Sequence, residues 1–299
     1  MKLNPVYTCC CLLMLCIVQA ACIREDNDDC PTGNDEHVLT VHSFDGQGNE
    51  LTGTGAVSEV MLYIFDAQNH FLQSIACKEN ETVPINYPEQ EKIAVIGWGN
   101  SQSNNQTMPQ PIQGTPLESL QMSLLHSGEG TLLSPDDLFY GSVNVDFSAI
   151  TRAMTVTHQL NLQRKVAGME IIVKGIPQRF ETDDEDFTLQ VNETAEGMNF
   201  MGELTTSHNN YRPTCRFNSL KELIAPIFHT LPSDGNPVTV TLYKGNKTVY
   251  EASTNEEGTP FTLEAGKLLS ITIDLNKGTG GSASFFVNKW NESNINQEF

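Results

Sequence analysis

Between residues 154 and 166 the chain alternates with a period of two. Met154, Val156, His158, Leu160, Leu162, Arg164 and Val166 share one parity, and Thr155, Thr157, Gln159, Asn161, Gln163 and Lys165 share the other. Successive side chains of an extended strand point to opposite faces, so this pattern predicts a strand with one packed face and one wet face, as in antiparallel sheets. After Gly168 the parity inverts, and Met169, Ile171 and Val173 become the apolar set. One extra residue at Ala167 and Gly168 would cause the inversion, and glycine within a strand often marks a bulge.

Hairpins extend this all-β reading. VMLYIF (60–65) leads through Ala67, Gln68, Asn69 and His70 into FLQSIAC, which ends at Cys77. VTVTLYK (238–244) leads through Gly245 and Asn246 into KTVYEA, and Gly-Asn between two strand-like runs is a two-residue hairpin signal. A further strand follows each hairpin, at 92–98 and at 267–275, so the same order occurs twice. The repeat predicts two similar β domains, 37–155 and 156–299. Strands at about ten-residue spacing with few helices suggest Greek-key β-sandwiches. Short helices are expected at 117–125 and at 219–228, the second broken by Pro226. Residues 100–115, rich in Ser, Asn, Gln, Pro and Gly, read as an irregular loop.

The N-terminus says where such a body goes. Lys2 is the only charge before Cys22, and 6–18 is an apolar run in which Cys9, Cys10, Cys11 and Cys16 act as small hydrophobes. That run is shorter than the roughly 20 residues a membrane span requires, so 1–21 reads as a secretory signal peptide. Ala20-Ala21-Cys22 resembles a bacterial lipobox, in which cleavage falls between Ala21 and Cys22 and the cysteine sulfur takes lipid. Gln19 stands where such signals usually carry Leu, and ordinary cleavage after Ala21 would leave Cys22 free. Several acyl chains, at about 0.8 kcal/mol per buried CH₂, make a nearly permanent anchor. Residues 22–36 then form an acidic tether with Glu25, Asp26, Asp28 and Asp29. That run resembles the export tag of surface-exposed lipoproteins of Bacteroides-type bacteria, and a plain solvated tether would look the same.

A net charge of −20 makes nucleic acid and anionic lipid surfaces poor partners. Removing the signal leaves Cys22, Cys30, Cys77 and Cys215 with no CxxC among them, so a structural zinc site is not expected. No GxSxG, HExxH or Walker A motif occurs, and the glycines near 46–51 lack the spacing of a dinucleotide fingerprint. The glycine-rich 277–282 reads as a turn. His158, on the apolar parity of its strand, reads as a satisfied core histidine. The acid run 181–186 could offer oxygens to calcium, but charge runs in loops are commonly just solvated. Asn-x-Ser/Thr triplets at Asn80, Asn105, Asn192, Asn246 and Asn291 would matter in a eukaryotic secreted protein, and behind a bacterial-type signal they read as accidental. Neither enzyme chemistry nor a cofactor is expected.

The lipobox-like cysteine, REDNDDCP after it, VMLYIFD, the central HQLNLQRKVAGMEIIVKGIP (158–177) and the terminal SFFVNKW (284–290) together resemble the FimB-type fimbrial anchor and subunit family of Bacteroidales, relatives of the fimbrillins. The resemblance implies two transthyretin-like β-sandwich domains, an outer-membrane lipid anchor at Cys22, and other fimbrial subunits as partners. In the related stalk subunits, a cut after an N-terminal Arg or Lys releases the first strand, and a neighbour's strand fills the groove. Here no lysine follows Arg24 before Lys78 and no arginine before Arg152. The first strand, near 37–44, is therefore expected to stay, as in an anchor or basal subunit. Residues 284–299 would donate to the next subunit, dock on it, or simply form a last strand; their deletion is expected to leave a folded protein. The alternative is a surface lipoprotein that binds a glycan or host protein without polymer assembly, for which Trp98 and Trp290 provide a thin aromatic supply.

Overall fold

The computed structural model describes residues 36–148, 155–181, 186–277 and 280–290. The signal peptide, Ala21, Cys22, the tether before Glu36, the acids Asp183, Asp184 and Glu185, Asn291 and the tail beyond Trp290 lie outside the described residues. The strands in the first half are β1 (Glu36–Phe44), β2 (Val60–Phe65), β3 (Phe71–Cys77), β4 (Val83–Pro84), β5 (Lys92–Gly99), β6 (Gln106–Thr107), β7 (Gln121–Leu124), β8 (Phe139–Asp146) and β9 (Thr155–Arg164). The second half holds β10 (Ala167–Lys174), the short helix α1 (Ile176–Phe180), β11 (Phe187–Ala195), β12 (Gly197–Asn199), β13 (His208–Tyr211), β14 (Arg216–Phe217), β15 (Leu223–Thr230), β16 (Thr239–Lys244), β17 (Lys247–Ala252), β18 (Lys267–Asp274) and β19 (Ser282–Lys289).

Seven strands form one ribbon in the order β3-β2-β5-β8-β9-β1-β4. β8 and β9 pair at only two positions, Phe139 with Arg164 and Tyr140 with Gln163, so the ribbon turns a corner there and folds on itself. Leu62, Ile64, Ile93 and Val95 from one side then share a core with Leu39, Val41, Leu160 and Leu162 from the other. Glycines permit the close crossing. A Cβ on Gly97 would lie 2.6 Å from Leu160 Cδ2, and one on Gly141 would lie 2.1 Å from the Asn161 carbonyl oxygen.

In the second half, a five-stranded sheet (β14-β15-β10-β18-β19) packs against a four-stranded one (β13-β11-β16-β17). Met169, Ile171, Ile271 and Ile273 share a core with Leu189, Val191, Val240 and Leu242. A small sheet, β12-β7-β6, joins the halves, because β12 of the second pairs with β7 of the first. Over it Tyr140 Oη donates to the Phe200 carbonyl at 2.9 Å, while Trp98 and Phe200 pack beside it.

Both predicted hairpins form, β2–β3 and β16–β17, and β5 adds to β2 as its second neighbour. The repeat breaks at the next step, since β18 joins β10 and β19 in the opposite sheet. The parity inversion near Gly168 is not a bulge in one strand. The chain leaves β9 in one sheet at Arg164 and enters β10 in another at Ala167. Sheet membership thus changes at 165–166, later than the 155/156 division drawn from the repeat, because β9 pairs with β1. The two expected helices are replaced by a single 3-10 turn, Leu117–Ser119, followed by β7, and by β15. Pro226 sits where β15 slips register against β10. It has no N–H to give a ladder, and proline within sheets is found at such irregularities.

Candidate functional site

The first strand is held on both sides. β1 runs parallel to β9 through nine residue pairs, from Glu36 with Thr155 to Phe44 with Gln163. On its other side β4 covers only Val38 and Leu39, and loops complete the cover: Ile85 N donates to the His37 carbonyl at 2.9 Å, Asn80 N to that of Val41 at 3.1 Å, and Leu51 N to that of Ser43 at 2.8 Å. Val38, Leu39 and Val41 are buried. At its start, His37 Nδ1 and His158 Nε2 share a hydrogen bond of 2.9 Å. His158 is thus satisfied, and burial first, then the neighbouring His37, lowers its pKa.

The last strand is its opposite. β19 pairs with β18 through eight residues and, among the described residues, has no strand on its other side. Among the described residues its beginning alone is covered there, where Glu256 N donates to the Ala283 carbonyl at 3.2 Å. In an antiparallel ladder, backbone groups alternate between the partner and the free side. Phe285, Val287 and Lys289 therefore turn their N–H and C=O away from β18, as Ala283 does. Phe286 and Val287 are among the exposed large hydrophobic residues of the molecule, 69% and 40% exposed. An open edge with apolar side chains is a template for another strand.

The end of β19 is fastened at the joint between the halves. Trp290 is buried, its ring 5.0 Å from the Arg164 guanidinium and 4.8 Å from the His229 ring. Arg164, the last residue of β9, forks onto Asp137, with Nε donating to Oδ1 at 2.8 Å and Nη2 to Oδ2 at 2.7 Å. The same guanidinium lies 5.2 Å from the centre of the Phe139 ring. Ser134 Oγ donates to the His229 carbonyl at 3.0 Å, and His229 Nδ1 lies 3.1 Å from the Pro135 carbonyl. Burial raises the Asp137 carboxyl above its ordinary value, and the Arg164 charge offsets part of that rise. Burial lowers His229. Alternation placed Arg164 on the packed face; Asp137 and Trp290 as its partners had no sequence signal.

Cys77 and Cys215 are unbonded, and burial pushes each thiol up to about 11. Among the described residues no three His, Cys, Asp or Glu side chains gather to hold a metal, and no helix is long and apolar enough to cross a membrane. Trp98 and Trp290, the thin aromatic supply considered for glycan capture, are both buried in the core.

Among the described residues, packed sheets with a covered first strand and an open last one define an all-β structural module. Residues 27–296 match the family described as fimbrillin-A associated anchor proteins Mfa1 and Mfa2, and the chain belongs to it. The chain is 25% identical over 292 residues to the major fimbrium anchoring subunit FimB of Porphyromonas gingivalis, covering 93% of both proteins. Its fold resembles that of the fimbrial anchor protein Mfa2 of the same organism, with a TM-score of 0.63, 14% identity, and coverage of 86% and 98% of the two chains. A solved Bacteroides thetaiotaomicron protein is similar at a TM-score of 0.66 and 15% identity, over 87% and 99% of the two chains. FimB and Mfa2 are fimbrial anchor proteins, and the Bacteroides thetaiotaomicron protein is described as a putative polysaccharide binding protein.

Proposed function

We propose that the protein is a non-enzymatic, lipid-anchored fimbrial subunit that holds a fimbrium to the outer membrane. In this reading cleavage after Ala21 exposes Cys22 for acylation, residues 22–36 span the gap to the body, and the body is two transthyretin-like Greek-key sandwiches dividing at 165–166. The outer edge of β19 accepts a strand from the adjoining subunit. In such strand addition main-chain hydrogen bonds supply affinity and alternate side-chain pockets supply register. The observation that carries the reading is the contrast of edges: β1 is enclosed between β9 and its cover, whereas β19 is open and apolar. Eight pairs to β18 and the buried Trp290 favour β19 as acceptor over β19 as donor.

Proline substitutions test this. Val287→Pro removes an N–H that faces away from β18, a position where edge strands tolerate proline. It should leave the melting temperature near wild type and abolish co-purification of co-expressed fimbrial subunits. Asn288→Pro, which faces β18, should instead lower the melting temperature. Co-purification of Val287→Pro at the wild-type level would overturn the acceptor role.

One observation favours a second reading, capture of a glycan without polymer assembly. A polar groove of ≈ 360 Å³ on the outer face of the four-stranded sheet is lined by Thr188, Gln190, Arg212, Tyr243 and Asn246, with Arg212 Nη2 donating to Gln190 Oε1 at 3.3 Å. Retention of neutral oligosaccharides that is lost in Tyr243→Ala would support it.

A further inference from the structure

We propose that the parallel pair β1–β9 is a shear-loaded clamp that carries tension between membrane and fimbrium. The inference rests on the anchoring reading. A load from the tether enters β1 at Glu36, because the tether precedes it. The load leaves β9 at Arg164, because β10 of the second half follows two residues later. β1 and β9 run parallel, so entry and exit lie at opposite ends of the pair. The two strands are then pulled past each other along their axes, and all nine residue pairs bear the load together. Had β9 been antiparallel to β1, entry and exit would lie at one end, and the ladder would open one bond at a time.

The surroundings fit this use. On its far side β1 is also tied at His37, Val41 and Ser43 to Ile85, Asn80 and Leu51. The exit end of β9 is pinned by the Arg164–Asp137 fork and by Trp290. The arrangement recurs beyond the joint. Load passes into β10 at Ala167, and β10 lies parallel to β18 from Gly168 to Lys174. Two parallel pairs thus stand in series along the path toward β19.

Single-molecule pulling on the chain from residue 22 onward, as unlipidated protein, tests the clamp. Handles at residue 22 and in the exposed turn at Asp234 load β1 against β9 in shear. Handles at residue 22 and at Ser148 pull the two strands from the same end and unzip them, with the fold otherwise unaltered. Forced unfolding reports the barrier to unfolding. The shear geometry should rupture at several-fold higher force than the unzipping geometry at the same pulling rate. Equal rupture forces would overturn the clamp and leave the anchoring reading intact. Surface attachment of an unacylated Cys22→Ala chain would remove the anchoring reading without changing the difference in force.

Discussion

Arg164 shows what one side chain does at the joint. Its side chain is 2% exposed and that of Asp137 20%, so the charge depends on its fork. Removing one partner of a buried pair leaves an uncompensated charge, at a cost of about 3–5 kcal/mol, whereas an apolar isostere can be nearly neutral. Asp137→Ala should therefore destabilise by about 3 kcal/mol in urea unfolding, and Arg164→Met by clearly less. The neighbouring histidines set a pH dependence. Burial lowers both His158 and His229, so near pH 6 the unfolded chain binds more protons than the folded one, and stability falls as pH drops. Melting temperatures should decline from about pH 7 to about pH 5, and His229→Gln should flatten that slope; an unchanged slope would assign it elsewhere. Parity alone made Arg164 and His158 legible as inward-facing. Their partners were not legible, because Asp137, Trp290 and His37 reach them across sheets rather than along a strand.

At the scale of elements, strands announced themselves where one face is wet and hid where both faces are covered. β9 alternates cleanly. β15 lies in a sheet interior between β14 and β10, and its run of Leu223, Ile224 and Ala225, all buried, reads as easily for a helix, since a short apolar run has no period to decide between them. The glycines at the corner carried no signal as a set, since Gly97 lies on β5 and Gly141 on β8 and only the register joins them. Substitutions there should differ in cost. Gly141→Ala forces a Cβ onto the Asn161 backbone oxygen and should cost about 2–3 kcal/mol, while Gly97→Ala meets leucine tips that can move and should cost about 1 kcal/mol. Thermal unfolding of the two variants checks the order. The expectation that deleting 284–299 leaves the fold intact does not hold for β19: the cut removes most of a paired strand together with Trp290, and truncation after Trp290 is the deletion that spares the core.

For the whole molecule, the decisive proposal concerns a residue outside the described structure. Metabolic labelling with an alkynyl fatty acid should tag the wild-type chain, and Cys22→Ala should lose the tag and leave the membrane fraction; equal labelling of both would end the lipid-anchor reading. The all-β architecture could be anticipated from alternation and hairpins. The way the halves interlock through β7 and β12 could not, because strands of four and three residues leave no periodic trace. The same parallel pairing has a cost in time. If the chain is exported as proposed, β1 emerges well before its long partner, and it must wait until the intervening meander has emerged before β9 arrives to cover it. Non-local parallel pairing is slow to form, and strands left unpaired meanwhile invite aggregation. On the proposed route the molecule would thus be most vulnerable not once seated but during its own passage across the cell envelope, when a holding chaperone would have most to protect.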